Sequence, residues 1–307
     1  MQLLSAIFPV FALVLIGWVG QRRHLLSAEA FHGLRDIVYF LAMPALLFSA
    51  IAEGPALDLV AITSVYFAAC LSIFAGAFVL ARLLRLPQAR AAMLALNASY
   101  GNTVMVGIPV VLATLGQDAL PPLMAIIALH AAILLPLAGT LIAMDGAKRN
   151  GRSALTVLVG TGVATLRNPI IAAIAIAFIW RGLHAPTPKP MAELLSMLGA
   201  CSTPLALICL GGSLPPLHAR ALDAEAAAGI ILKIVLLPAL VWTLGRWADL
   251  PILPLRVAVL VAAMPTGANA FLLARKDESL AEVSAATVVT TTMLAPLSLW
   301  ILLQFLM

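Results

Sequence analysis

Two stretches set uncharged polar and helix-breaking residues in the middle of apolar runs. One reads Asn97-Ala98-Ser99-Tyr100-Gly101-Asn102-Thr103-Val104-Met105-Val106-Gly107-Ile108-Pro109. The other reads Ala263-Met264-Pro265-Thr266-Gly267-Ala268-Asn269-Ala270. Each sets Gly, Pro and Asn in the middle of an apolar run, where a helix crossing hydrocarbon would have to break. Unwound backbone at that depth is tolerated only where protein or a water-filled cavity satisfies it. A half-helix N-terminus exposes unpaired N–H groups and carries roughly half a positive charge, so it favours a carboxylate or similar anion. An asparagine amide donates to a carboxylate and accepts from a hydroxyl or N–H. The expected chemistry is recognition of an anion by dipoles and by the pair Asn102 and Asn269, with no lysine or arginine ion pair. One such break alone reads as a kink or a capped helix end; two at matching positions point to a binding site.

Other chemistries find little support. Cys70, Cys201 and Cys209 are odd in number and dispersed, with no metal or disulfide pattern, and no cofactor is implied. His24, His32, His184 and His218 fall at the edges of apolar stretches. His130, the one histidine well inside, has no visible acidic partner and reads as hydrogen-bonded in a bundle rather than as a proton relay. A membrane-embedded enzyme would need a histidine pair with an acid, or a serine dyad. Asp36 beside Arg35 reads as an interfacial ion pair, with a proton-coupling carboxylate as the alternative, and Glu282 as interfacial. Lys233 reads as a residue early in the eighth helix that snorkels to the membrane edge. Thr287, Thr290, Thr291 and Thr292 read as helix packing, with a sodium site or part of the pocket left open.

The elements that must position the two breaks follow from composition. Of 307 residues, 63% are hydrophobic and 10% charged, against roughly 45–50% and about 25% in soluble domains; mean hydropathy is +1.08. This excludes a soluble enzyme and a disordered chain. Ten apolar stretches, at about 3–20, 34–51, 59–83, 91–115, 121–144, 168–184, 191–213, 228–248, 256–274 and 280–306, predict an all-α integral membrane protein with ten transmembrane helices. The polar link divides it into a first five-helix repeat (1–144), a linker (145–167) and a second five-helix repeat (168–307). Counted over the alternating faces, 14 of the 18 Lys and Arg residues gather on the face of the central link and 4 on the other. The positive-inside rule then puts both termini outside and the link in the cytoplasm. It also explains the net charge of +5 without a nucleic-acid partner.

The halves echo each other. Pro9 matches Pro169 and Pro44 matches Pro204 at an offset of 160 residues; Arg90 matches Arg256 and Gly101 matches Gly267 at 166. Because each half has five helices, the second enters from the opposite side, which is an inverted-topology 5+5 repeat of the kind found in secondary transporters.

The run Gly101-Asn102-Thr103-Val104-Met105-Val106-Gly107-Ile108-Pro109 resembles the fourth-helix crossover motif of the auxin efflux carrier family, which includes plant auxin exporters and bacterial carriers of malonate or malate type. Leu41-Ala42-Met43-Pro44-Ala45-Leu46-Leu47-Phe48 and Met264-Pro265-Thr266-Gly267-Ala268-Asn269-Ala270-Phe271-Leu272-Leu273-Ala274 are similar to its second- and ninth-helix motifs. The resemblance implies crossed broken helices, elevator-type alternating access, and a site drawn from Gly101, Asn102, Thr103, Pro109, Pro265, Thr266, Gly267 and Asn269. Asn102 would contact a substrate carboxylate, while Pro109 and Pro265 shape the crossover. Asn269-Ala270 stands where the plant pattern has a second proline, which favours a small dicarboxylate over auxin. The implied partners are a small carboxylate and membrane lipid, in a bacterial inner membrane. A coupling proton or sodium and a homodimer are left open.

Overall fold

A computed structural model of the chain describes residues 2–52, 59–150, 160, 163, 167–214, 223–274 and 277–306. Among these residues the only pairing of extended backbone is a single bridge between Gly101 and Thr266; all else regular is helical. Six helices are long and apolar enough to cross a membrane, and four shorter apolar helices accompany them. Most of the 145–167 linker lies outside the described residues, as do Glu53-Gly54-Pro55, Pro215-Pro216, Arg275, Lys276 and His218.

The chain begins with α1 (Gln2–Arg22) and α2 (Ala28–Ile37), the latter capped by Ser27, whose hydroxyl accepts from Ala30 N–H. A wide turn at Val38–Ala42 leads into α3 (Met43–Ala52). Then come α4 (Leu59–Leu83), α5 (Gln88–Ser99), a second wide turn at Thr103–Gly107, α6 (Ile108–Leu115) and α7 (Leu120–Asn150). The second half holds α8 (Pro169–Gly182), α9 (Lys189–Ser213) and α10 (Ala224–Ile231). A third wide turn at Leu232–Leu236 joins α10 to α11 (Leu237–Trp247). The chain ends with α12 (Ile252–Ala262), α13 (Ala268–Ala274) and α14 (Glu278–Leu306).

The three wide turns share a cause. Each is followed, two residues on, by a proline: Pro44, Pro109 or Pro238. Proline has no N–H to donate, and its ring crowds the carbonyl four residues back. Widening the ladder by one residue relieves that clash without exposing the helix to a full break.

Two packing groups emerge. In the first, α1 crosses α9 so closely that a Cβ on Gly17 would strike the Ile208 carbonyl and one on Gly211 the Val14 carbonyl. Small residues that let backbones touch are the usual device of membrane helix contacts. The α3 helix packs on α8 and α9, where Gly199 faces the Leu46 backbone. In the second group α5 packs against α4, α7 and α10, and α12 against α7 and α11. Large apolar side chains such as Trp247 (85% exposed) and Phe305 (80%) remain uncovered, as a lipid-facing surface requires. At one end Arg90 ties α5 to α10 through Glu225 (2.8 Å) and Asp223 (3.6 Å), while Asp223 also caps α10 by accepting from Ala226 N–H.

Two readings of single charges need correction. Asp36 makes no ion pair with Arg35 among the described residues; it is exposed. Adjacent residues on a helix point in different directions and do not face each other. Lys233 does not snorkel. It is 0% exposed, among the largest fully buried side chains of the molecule. The helix starts at Ala224 rather than near residue 228, which places Lys233 four residues deeper than the apolar stretch implied.

Candidate functional site

The two breaks meet. The α5 helix ends at Ser99, and Tyr100 takes up extended backbone (φ −91°, ψ 109°). The α12 helix ends at Ala262, and its chain then passes through Met264 and Pro265. Across the gap Asn102 N–H donates to the Pro265 carbonyl (2.8 Å) and Gly267 N–H donates to the Tyr100 carbonyl (3.0 Å), giving the Gly101–Thr266 bridge. Each unwound segment thus supplies backbone partners for the other, which is how a break survives where water is scarce. Gly267 is required by this approach: a Cβ there would sit 2.5 Å from the Tyr100 ring and 3.2 Å from the Gly101 carbonyl.

Neighbouring helices complete the backbone accounting. Gly101 N–H donates to His130 Nε2 on α7 (3.1 Å). Because Nε2 accepts, the ring proton of a neutral imidazole sits on Nδ1, which lies 3.5 Å from Tyr66 Oη on α4. The His130 ring stacks on Tyr100 with centroids 4.8 Å apart. Thr266 N–H donates to Thr291 Oγ1 on α14 (3.0 Å), and Thr291 in turn donates to the Thr287 carbonyl (2.7 Å). Thr266 Oγ1 donates to the Asn97 carbonyl (2.9 Å), and Ser284 Oγ to Asn97 Oδ1 (3.0 Å).

The sequence-derived residues fall as follows. Gly101, Asn102, Pro265, Thr266 and Gly267 converge directly at the crossing. Asn102 Oδ1 caps the Thr103–Gly107 turn by accepting from Met105 N–H (3.2 Å), while its Nδ2 is buried with no hydrogen-bond partner. Thr103, buried, opens that turn, and Pro109, buried, sits at the start of α6 one turn beyond. Asn269 is exposed and donates from Nδ2 to Tyr100 Oη (3.3 Å), with no hydrogen bond to Asn102.

Four further residues contribute at the crossing, beyond the candidate site residues drawn from the sequence. Asn97, with its Nδ2 also buried and unpartnered, is one helical turn before the break. Tyr100 and Thr291 hold the crossing from two sides. The fourth is Lys233, whose ammonium donates to the Ala262 carbonyl at the end of α12. Its Nζ would lie 3.2 Å from a Cβ on Gly101, so it touches both breaks. The crossing therefore also holds a lysine, which the sequence reading places at the membrane edge. The corresponding place in the first half is held by Cys70, whose Sγ approaches the Ser99 carbonyl (3.9 Å) at the end of α5. Both side chains reach a carbonyl 29 residues further on. The signal for Lys233 was its position: tenth in the apolar span Ala224–Trp247, near mid-membrane.

An apolar groove of about 700 Å³ between α1 and α14, lined by Phe8, Phe11, Leu15, Pro296, Leu297 and Trp300, lacks the polar groups of a solute site. No cluster of metal-ligating side chains occurs among the described residues.

With this geometry in hand, similarity to known proteins can be placed. The sequence pattern of a family described as "Membrane transport protein" matches residues 2–303. A protein of Rhizobium meliloti (strain 1021) named "Putative malonate transporter" is 28% identical over 310 residues, covering 96% of this chain and 92% of the relative. An uncharacterized transporter of Methanocaldococcus jannaschii is 25% identical over 314 residues, covering 98% of this chain and 99% of the relative. The chain belongs to this membrane transport protein family, the auxin efflux carrier group that its Gly101–Pro109 run resembles, and is a multi-pass membrane transporter rather than an enzyme.

Proposed function

We propose that the protein is a secondary active carrier of small organic anions, with malonate-like dicarboxylates as the leading substrates, and that Asn102 is its principal substrate contact. The observation that carries this reading is the Asn102 amide: its oxygen is committed to capping the half-helix, while its NH2 is buried, unpartnered and set beside the free N–H groups of that same helix start. A buried donor left unpaired costs about 1–3 kcal/mol, and an acceptor-rich carboxylate relieves it. The name of the Rhizobium meliloti relative supports a dicarboxylate.

The architecture we infer is the ten-helix 5+5 inverted repeat, with repeats at 1–144 and 168–307. Six helices long enough to cross and four shorter apolar ones, ten in all among the described residues, support this reading. The matched placement of Cys70 and Lys233 against the two broken helices supports the repeat. The close packing of α1 on α9 and of α3 on α8 and α9, with α1 also against α6 and α9 also against the Thr103–Gly107 turn, supports an elevator-type carrier, in which a frame packs against the substrate-bearing body that moves. The charge bias still favours a bacterial inner-membrane orientation with both termini outside, since setting Lys233 aside leaves 13 basic residues against 4.

The test is uptake of radiolabelled malonate into proteoliposomes, paired with a thermal-shift screen of mono- and dicarboxylates. Saturable malonate transport, with malonate stabilisation abolished in Asn102→Ala, is the expected result. Unchanged transport and binding in Asn102→Ala would remove Asn102 from the site.

A further inference from the structure

The Lys233 ammonium is a charge that the proposed anion site does not use. It is fully buried, and no carboxylate among the described residues pairs with it. The titratable side chains facing it are the Cys70 thiol on α4 and the His130 imidazole on α7; its own helix run and α5 contribute none nearby. An ammonium in so dry a place must be balanced by something. Here the balance is backbone. Its hydrogen-bond acceptor is the carbonyl of Ala262, the last residue of α12. The carbonyls ending a helix have no intrahelical partner and carry about half a negative charge between them. The Val261 carbonyl and the Gly101 backbone close the other side, both within van der Waals reach of the same spot.

Unwound carbonyls at half-helix C-terminal ends are where cation-coupled carriers of interrupted-helix design hold their sodium ion. We propose that Lys233 is the resident cation of the crossover: its tethered ammonium fills the position an external coupling metal ion would take, so the crossing assembles and the carrier works without sodium.

The physical requirement is one positive charge at the Ala262 carbonyl, whether supplied on a side chain or from solution. In Lys233→Ala the removed atoms match propylammonium in length and charge. That variant is expected to lose stability and to regain it when propylammonium is added, by a rise of about 2 °C or more in apparent Tm at saturating amine. Propanol, the neutral analogue, should give no such rise. The wild-type protein should melt at the same temperature in sodium and potassium chloride of equal ionic strength. Recovery of folded Lys233→Ala only when propylammonium is present during purification would equally support the proposal. Two results would overturn it: equal response of Lys233→Ala to propylammonium and propanol, or selective stabilisation of the wild type by sodium.

Lys233→Met keeps the length of the side chain without its charge and gives a second arm, which rests on the carrier reading above. It should fold and transport malonate at less than about a tenth of the wild-type rate, since a charge-assisted contact contributes about 1.5–3 kcal/mol. Wild-type transport by Lys233→Met would sink the proposal. If the wild type moves no carboxylate at all, the carrier reading fails, while the amine-rescue melts still decide the role of Lys233.

Discussion

The two interrupted helices meet at one point but differ in what each leaves unfinished. The second break is closed on itself and its neighbours: Thr266 gives both its N–H and its hydroxyl to protein acceptors, the Pro265 carbonyl is taken, and the Asn269 amide reaches the Tyr100 phenol. The first break has its Gly101 and Asn102 N–H groups satisfied, through His130 and Pro265, yet keeps the Asn102 NH2 buried with nothing to donate to. A structural kink has no need of an unpaired buried donor. On the proposed reading the difference separates a strut from a binding face, although both carry the same Gly, Pro and Asn residues.

The sharpest way to break this contrast is at its glycines. In Gly267→Ala the new methyl meets the Tyr100 ring, which is pinned on His130 and cannot retreat. We expect a loss of about 3 kcal/mol or more and little folded protein by size-exclusion chromatography. In Gly101→Ala the methyl meets the far end of a lysine side chain at 3.2 Å, and the cost should stay under about 1 kcal/mol. Equal losses would show that the crossing is uniformly tight. Next comes Asn102→Ala, expected to weaken malonate binding about 10- to 100-fold, the worth of a charge-assisted hydrogen bond plus part of a helix cap, as read by isothermal titration.

His130→Phe and Thr291→Val form a matched pair, each stripping the acceptor from one buried backbone N–H, that of Gly101 or Thr266. Each should destabilise by about 1–3 kcal/mol in thermal melts while leaving malonate affinity within about threefold. A large affinity loss in Thr291→Val alone would move the binding face to the second break. The smallest effect is expected from Asn269→Ala, about 0.5 kcal/mol or less, because its amide is exposed and water replaces the Tyr100 phenol.

What could be read in advance, and what could not, divides along physical lines. Gly101-Asn102 and Pro265 to Gly267 were legible because breaking a helix inside an apolar run leaves a mark in one dimension. His130 was legible as a hydrogen-bonded residue, since a lone buried imidazole must find a partner, but its acceptor role toward Gly101 joins residues 29 apart and leaves no local mark. Thr291 looked like ordinary helix packing for the same reason. Lys233 was misplaced by helix length alone. Glu225 interrupts the run Ala224 to Ala228, whose alanines are only weakly apolar, so the apolar stretch seemed to begin four residues late, and a lysine near mid-membrane passed for one at the edge. Asn269 was joined to Asn102 as a second contributor on grounds of symmetry, and the bond of its amide to the Tyr100 phenol, a tertiary contact, left no mark in the sequence.

The glycine seam between α1 and α9 has a bearing on how the protein is made. Gly17 and Val14 press on backbone near Ile208 and Gly211, segments separated by nearly two hundred residues of chain. At about 5–20 residues per second of synthesis, the first helix waits in the bilayer for roughly 10–40 s before its partner exists. During that interval its small-residue face must be covered by lipid or by the insertion machinery, and every helix from α2 to α8 enters before the seam can shut. Closure of the α1–α9 seam is thus a late event in biogenesis, and a chain cut short before Gly211 leaves α1 without its mate.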